Sequence, residues 1–271
     1  MPHGYEVGYS QFSINGRKLG QGEPIRVRAG QRVLMHVLNG SATEIRSLAL
    51  PGHTFRVLAL DGNLVAQPAD VPVLWIGTAE RVSAIVEMNH PGVWVLGDTS
   101  DDDRGNGMGA VVEYAGQSGQ PQWTAPPKSM WDYRAFTRPG APVPAPERTI
   151  DLLIEKRNAA DHGFNVWTLN GVPFSMSADK PVIQIEHGKR YRLRFRNATD
   201  DIHPIHLHRH TFQVTNIAGS PTAGPLKDVV MLGGYQALEV DFTADQPGLS
   251  LLHCHQQIHM DYGFMTLLNC A

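Results

Sequence analysis

The sequence predicts an all-β protein built as two Greek-key β-sandwiches. Three observations carry that reading. Short alternating strand patterns run through the chain while helical periodicity is missing. A proline-rich stretch divides the chain near its middle. The two flanking halves repeat one another. A length of 271 residues suits two domains of about 120 residues each, and 42% hydrophobic residues let each half bury a core.

The strand signals lie in residues 26–39 (RVRAGQRVLMHVLN), 81–87 (RVSAIVE), 191–196 (YRLRFR) and 237–242 (ALEVDF). Each is short, roughly alternating and rich in branched residues, and Gly, Pro, Asn or Asp bounds most of them. Short strands at this spacing are the pattern of Greek-key sandwiches. Residues 116–148 contain seven prolines, among them Pro126-Pro127 and the run PGAPVPAP. Such a segment cannot pair as a central strand, so an extended linker laid over the surface is expected.

The repeat sets the domain count. Ile14-Asn15-Gly16, Gly30, Asn39, His53-Thr54-Phe55 and Gly62 match Leu169-Asn170-Gly171, Gly188, Asn197, His210-Thr211-Phe212 and Gly219. Pro91-Gly92 matches Pro247-Gly248. The expected domains are residues 1–115 and 149–271, joined by linker 116–148. The repeat is also an internal control. Opposite His203, His206 and His208 the first copy has Arg46, Ala49 and Pro51; opposite His253, Cys254 and His255 it has Gly97, Asp98 and Thr99. The scaffold does not need these histidines, so their presence in the second copy is chemical.

Composition removes several function classes. Charged residues are 18%, without a long run of either sign, and net charge is −3, so no nucleic-acid partner is expected. No stretch approaches the roughly 20 apolar residues that span a bilayer, so no membrane partner is expected. Residues 1–10 lack a basic region followed by an apolar one, so no signal peptide is read. Two cysteines, Cys254 and Cys270, exclude a disulfide framework. A bridge between them is not expected if Cys254 binds metal, and Cys270 reads as a free thiol near a frayed end.

Thirteen histidines stand out, and two segments concentrate them: 203–212 (HPIHLHRHTF) and 253–265 (HCHQQIHMDYGFM). Residues two apart on a strand share a face, and adjacent residues do not. His206 and His208 therefore point one way and His203 the other. His253 and His255 share a face, and Cys254 points away from both. One site gathers His203 and Cys254, with His259 joining from the turn beyond. A second gathers His206, His208, His253 and His255. Two imidazoles and a thiolate are the ligand set of a blue copper centre, and an all-imidazole site suits copper that binds dioxygen. Zinc also takes Cys and His, but an H-C-H tripeptide whose neighbours face a second all-His site favours copper. His210 shares the 206/208 face, yet its repeat partner His53 lies in the copy without ligands, so it reads as structural. His36, His90, His162 and His187 are isolated and read as core or surface residues, and His3 as tag-like.

These segments closely resemble the C-terminal signatures of the multicopper oxidases, the group of laccases, ascorbate oxidase and bacterial cuprous oxidases. The resemblance covers nearly the whole chain. Residues 1–115 resemble the middle, copper-free cupredoxin domain of a three-domain member, and residues 149–271 the third. It implies type 1 copper on His203, Cys254 and His259, a type 2 ligand in His206, and type 3 ligands in His208, His253 and His255. It further implies one-electron oxidation of a donor at type 1 copper, with an exposed His259 edge receiving electrons, coupled to reduction of dioxygen to water. A phenol-like donor or a metal ion, and a periplasmic or secreted location, follow from the same resemblance. No methionine-rich insert points to cuprous ion.

The chain departs from the family pattern in three places. The axial type 1 position falls on Phe264, which cannot coordinate and should raise the potential, with Met265 adjacent as the alternative. Where some members carry a relay carboxylate the chain has Met260, followed by Asp261. The family's cluster uses four His-x-His pairs, and this chain supplies two, with none before His206. The other two are expected from an N-terminal cupredoxin domain or another polypeptide, or else oxygen reduction is lost. Homotrimeric two-domain members do not fill the gap, because their first domain carries the missing pairs; a homo-oligomer of this chain is the other candidate partner. The competing reading is a non-enzymatic blue copper electron carrier or copper-binding protein with an incomplete second site. A copper nitrite reductase is disfavoured, because its type 1 cysteine is not flanked by histidine on both sides.

Overall fold

The computed structural model describes residues 4–138, 140, 143–176 and 180–271. His3, and Pro139 and Pro142 of the proline run, lie outside the described residues. The front half holds β1 (Ile25–Val27), β2 (Arg32–Leu38), β3 (Arg46–Ala49), β4 (Phe55–Leu60), β5 (Asn63–Val71), β6 (Leu74–Ile76), β7 (Arg81–Glu87), β8 (Val93–Asp98) and β9 (Gly109–Tyr114). Among the described residues they form one sheet in the order β2-β7-β4-β5 and a facing sheet in the order β1-β9-β8-β3-β6. The back half holds β10 (Arg148–Asp161), β11 (Phe164–Leu169), β12 (Val182–Ile185), β13 (Arg190–Asn197), β14 (His203–Leu207), β15 (Phe212–Ile217), β16 (Ser220–Pro221), β17 (Leu226–Lys227), β18 (Val229–Leu232), β19 (Ala237–Thr243), β20 (Gly248–Cys254) and β21 (Met265–Cys270). Its sheets run β11-β10-β13-β19-β15-β16, with β17 beside β15, and β12-β21-β20-β14-β18. The chain is thus all-β in two sandwiches of like topology. Two five-residue helices, α1 (Asp101–Gly105) and α2 (Gln257–Asp261), follow β8 and β20 at matching places.

Alternation decides the faces. On β13, Tyr191, Leu193 and Phe195 are buried, while Arg192 and Arg194 turn outward and meet Asp241 and Glu239 directly opposite on β19. Cross-strand pairs of opposite charge on one face and apolar burial on the other lock the register. The repeated Asn-Gly also has a local cause. Asn15 and Asn170 have φ of 52° and 53°, and the glycines after them 72° and 77°. Two successive positive φ values make the tight turn that Asn-Gly favours.

Two expectations need correction. Residues 116–148 do not simply lie on the surface. The backbone of Gln122 bonds to Val93 and Val95, and a 3-10 turn at Tyr133–Phe136 buries Tyr133 and Phe136. Prolines flank this turn but do not interrupt it, and each sunken ring stabilises by roughly 1.5–3 kcal/mol. Cys270 is not frayed either: it is 3% exposed, ends β21, and lies opposite Gly248 and Ile185. Both cysteines are free thiols.

A buried ionic cluster joins the sandwiches. Lys227, fully buried on β17, places Nζ 2.9 Å from Asp61 and 3.0 Å from Glu80 of the first sandwich. Burial opposes the lysine's charge, but Glu80 and Asp61 outweigh it and hold its pKa above the usual value. Tyr133 from the linker donates to Glu80 at 2.5 Å. Arg81 grips Asp228 with two 2.6 Å hydrogen bonds, and Asp61 accepts from the amides of Asp228 and Val229. Removing one member strands buried charge, which costs about 3–5 kcal/mol. Lys227→Met is therefore expected to lower unfolding free energy by about that amount, read from urea denaturation. A loss below about 1 kcal/mol would show that the carboxylates find water instead.

Candidate metal centre

The pleat of β14 and β20 creates two faces with different chemistry. Ile205 lies opposite Cys254 and His206 opposite His253. Opposite residues share a face, so His206 and His253 stand on one side, and Cys254 stands with His203 on the other. After Cys254 the backbone leaves the sheet, with the His255 amide donating to Pro204 at 2.7 Å. Helix α2 then folds His259 back over the thiol side.

His203, Cys254 and His259 form the first group. Cys254 Sγ lies 3.6 Å from His203 Nδ1 and 3.5 Å from His259 Nδ1, and the two nitrogens are 3.0 Å apart. A metal with bonds of about 2.0–2.3 Å spaces trigonal ligands by about 3.5–3.8 Å. The hydrogen bonding fixes the His203 tautomer. Thr199 Oγ1 donates to Asn197 Oδ1 and so accepts from His203 Nε2 at 3.0 Å, which leaves Nδ1 as the lone-pair nitrogen, facing the thiol and His259. Burial holds His203 well below the ordinary histidine range and His259 at about 4, and pushes the Cys254 thiol far up. Both imidazoles are thus uncharged, and the thiol keeps a proton for a metal to displace.

The second group is His206, His208 and His253, whose donor atoms lie within 4.8 Å of one another. His208 and His253 approach to 2.9 Å through Nε2. The His255 ring lies 5.7 Å from that of His206 and 5.3 Å from that of His253, so all four predicted imidazoles converge. His206 Nδ1 donates to the Asp228 carbonyl at 2.7 Å, and His253 Nδ1 to the Cys254 carbonyl at 2.8 Å. A carbonyl only accepts, so both rings carry their proton on Nδ1 and offer Nε2 to the centre. Burial lowers His206 and His208, and brings His253 to about 3. In donor type and convergence, both groups fit copper.

The first sandwich shows what fills the same place without metal. Arg46 and Asp98 occupy the positions of His203 and Cys254, and Asp103, five residues past Asp98 on α1, that of His259. Arg46 is 3% exposed and lies 2.7 Å from Asp103 and 3.9 Å from Asp98. An ion pair stands where the second sandwich gathers its thiol and two imidazoles. His53 and His210 remain alike, each bonding through Nδ1 to the carbonyl two residues earlier, and His210 packs on Phe242.

Phe264 stacks edge-on to His203 at 4.8 Å and is 1% exposed, whereas Met265 lies opposite His253 on the other face. Asp261 is tied to Gln257. His259 does not present the open edge that the resemblance implies. It is 4% exposed, because Trp167 stacks on it at 4.0 Å. Trp167 Nε1 donates to Asp201, which pairs with Lys156 at 2.9 Å. Sequence reasoning missed Trp167, Thr199 and Asp201. Thr199 carried a signal, since Asn197-Ala198-Thr199 repeats Asn39-Gly40-Ser41; Trp167 carried none.

A sandwich pair of this topology with these two histidine groups defines a copper protein of the cupredoxin class. Models of the multicopper oxidase family match residues 3–116 and 144–270. The chain belongs to that family. It is 32% identical to the multicopper oxidase MmcO of Mycobacterium tuberculosis over 98% of this chain and 52% of that one. It is 30% identical to the bilirubin oxidase of Albifimbria verrucaria over 80% of this chain and 39% of that one. Among solved structures it resembles Fet3p, a multicopper oxidase that functions in iron import (TM-score 0.80, 16% identity, 94% of this chain and 58% of that one). It also resembles the laccase of Botrytis aclada (TM-score 0.75, 19% identity, 94% and 53%). The chain spans about half the length of the curated relatives it matches.

Outer-sphere partners of a ligating histidine commonly carry 10–100-fold in affinity. Thr199→Val keeps the shape but removes the oxygen that His203 Nε2 addresses. Copper titration should show affinity at the thiolate site weakened by about tenfold or more. Unchanged affinity would mean that His203 is held by packing alone.

Proposed function

We propose that this chain is the copper-bearing back part of a multicopper oxidase, with a ligand-free domain (1–115), a linker (116–148) and a copper domain (149–271). His203, Cys254 and His259 hold type 1 copper, with Phe264 at the axial position. His206 holds type 2 copper, and His208, His253 and His255 hold type 3 copper, as half of a trinuclear cluster. When bound, copper supplies the one-electron oxidation of a donor, phenol-like or a metal ion, and across a completed cluster the reduction of dioxygen to water. One observation carries the reading: the Cys254 thiol sits in one group while its covalent neighbours His253 and His255 sit in the other. That gives an electron a through-bond route between the groups. The other two His-x-His pairs come from an N-terminal cupredoxin domain or a separate polypeptide, and the assembly works in the periplasm or outside the cell. No described helix is long and apolar enough to cross a membrane.

The chain's residues have defined tasks in this scheme. Burial keeps His203, His206, His208, His253 and His259 neutral, Thr199 and the Asp228 and Cys254 carbonyls orient His203, His206 and His253, and the Phe264 ring packs against His203. Trp167 covers His259, so electrons reach that ligand through or past the indole.

Copper-loaded protein is expected to be blue through a thiolate-to-copper band, and Cys254→Ser to be colourless. A loaded wild type without the band, or a variant that keeps it, overturns the type 1 assignment. Metal analysis and an oxygen electrode with a phenolic donor test the second half. The chain alone should hold one copper firmly and consume little oxygen. Four tight coppers with sustained uptake would show that four further ligands are already present. An electron carrier that is not an enzyme would stay inactive even with a domain supplying the missing pairs.

The axial position has its own test. Phe264→Met should lower the type 1 potential by adding a weak donor. An unchanged potential and spectrum would mean that another group already lies there.

A further inference from the structure

The two sandwiches differ in one place that the copper chemistry does not explain. In the second, β13 is flanked on both edges, by β19 and by β10, which runs parallel to it. In the first, the equivalent strand β2 pairs with β7 and, among the described residues, with nothing on its other edge. Yet the strand that should lie one place further out has its equivalent. Residues 9–14 stand where β11 stands. Phe12 donates to the Asn106 carbonyl as Trp167 does to Tyr262, and Leu19 to Gly107 as Phe174 does to Gly263. Between residues 9–14 and β2 lies an open groove of about 640 Å³.

We infer that this groove is the seat of a further β-strand: an extended polypeptide segment with apolar residues at alternate positions, running parallel to β2. The occupant of the matching slot shows its chemistry. Leu152 and Ile154 of β10 are 2% and 0% exposed there. They help to bury Tyr191, Leu193 and Phe195 of β13, whereas the matching Val33, Met35 and Val37 of β2 are only half-buried. The polar fittings for such a strand are also in place. Asn170 accepts from the Leu153 amide and donates to the Asp151 carbonyl, and the Ala198 amide donates to Ile154. Their equivalents are Asn15, with the same backbone conformation, and the Gly40 amide. Both line the groove, and among the described residues neither has a hydrogen-bond partner there. Residues 4–8 do not supply the strand. They run to the second sandwich, where Tyr5 bonds to Gly163 and packs on Phe164. An unpaired strand edge over a half-filled core is the kind of surface that takes up a strand from elsewhere.

The test adds to the full chain a synthetic peptide with the sequence of residues 149–156, TIDLLIEK, which fills the matching slot. Hydrogen exchange of the Val33, Met35 and Val37 amides should slow on saturation, and the thermal midpoint should rise. A peptide carrying Leu152→Asp and Ile154→Asp should do neither. Asn15→Gly keeps the turn's backbone freedom but removes the side-chain clip, and should weaken peptide binding about tenfold. Unchanged exchange of the β2 amides at millimolar peptide overturns the proposal. So does protection of β2 that rises with protein concentration without peptide, since the occupant would then be a second copy of this chain.

Discussion

Consecutive side chains on a strand point to opposite faces, and at the end of β20 that rule separates two kinds of chemistry within three residues. The thiol of Cys254 is buried with His203 and His259, while His253 and His255 turn to the opposite side with His206 and His208. Nothing else in the site is possible without this pleat. It sets which imidazoles meet the sulfur, and it places a single backbone between the two groups. The register of β14 against β20 completes the division, because Ile205 rather than a histidine lies opposite Cys254.

The first sandwich shows that the scaffold tolerates different solutions at the same point. At the point where the second copy gathers a thiol and two imidazoles, the first sets the buried guanidinium of Arg46 between buried Asp98 and half-buried Asp103. The shared residues do structural work in both copies. Asn39 and Asn197 each take the amide two residues on through Oδ1 and bond two carbonyls through Nδ2. That separates repeated residues that build the sandwich from unrepeated ones that build the site.

The candidate metal centre is not independent of the neighbouring sandwich. His206 takes its orientation from the Asp228 carbonyl, Asp228 is gripped by Arg81, and the adjoining Lys227 is buried between Asp61 and Glu80. Both the side chains that fix this strand end and the tyrosine that caps Glu80 come from outside the second sandwich. A low-dielectric cluster of this kind gives a defined geometry, because any displacement leaves a charge unpaired. The ligand-free sandwich therefore acts as a rigid mount for one edge of the histidine face.

Much of the fold and the grouping of the histidines with Cys254 is legible in the sequence. Period-two alternation, Asn-Gly turns and the internal repeat all act over a few residues or at a constant offset, so they are written locally. The opposed faces of His-Cys-His and of His203 against His206 follow from that alternation, and so does the contrast between the copies. Other features came only from tertiary structure. The cover of Trp167 over His259, the cluster around Lys227, the anchoring of Tyr133 and Phe136, and the groove beside β2 join residues far apart in the chain. No local period marks such contacts. A tryptophan in a strand reads as core whether or not a histidine lies beneath it, and a lone buried lysine cannot be told from an exposed one. Sequence alone determined which side chains share a face; packing between distant segments decided which faces are covered, because burial depends on what the rest of the chain brings against them.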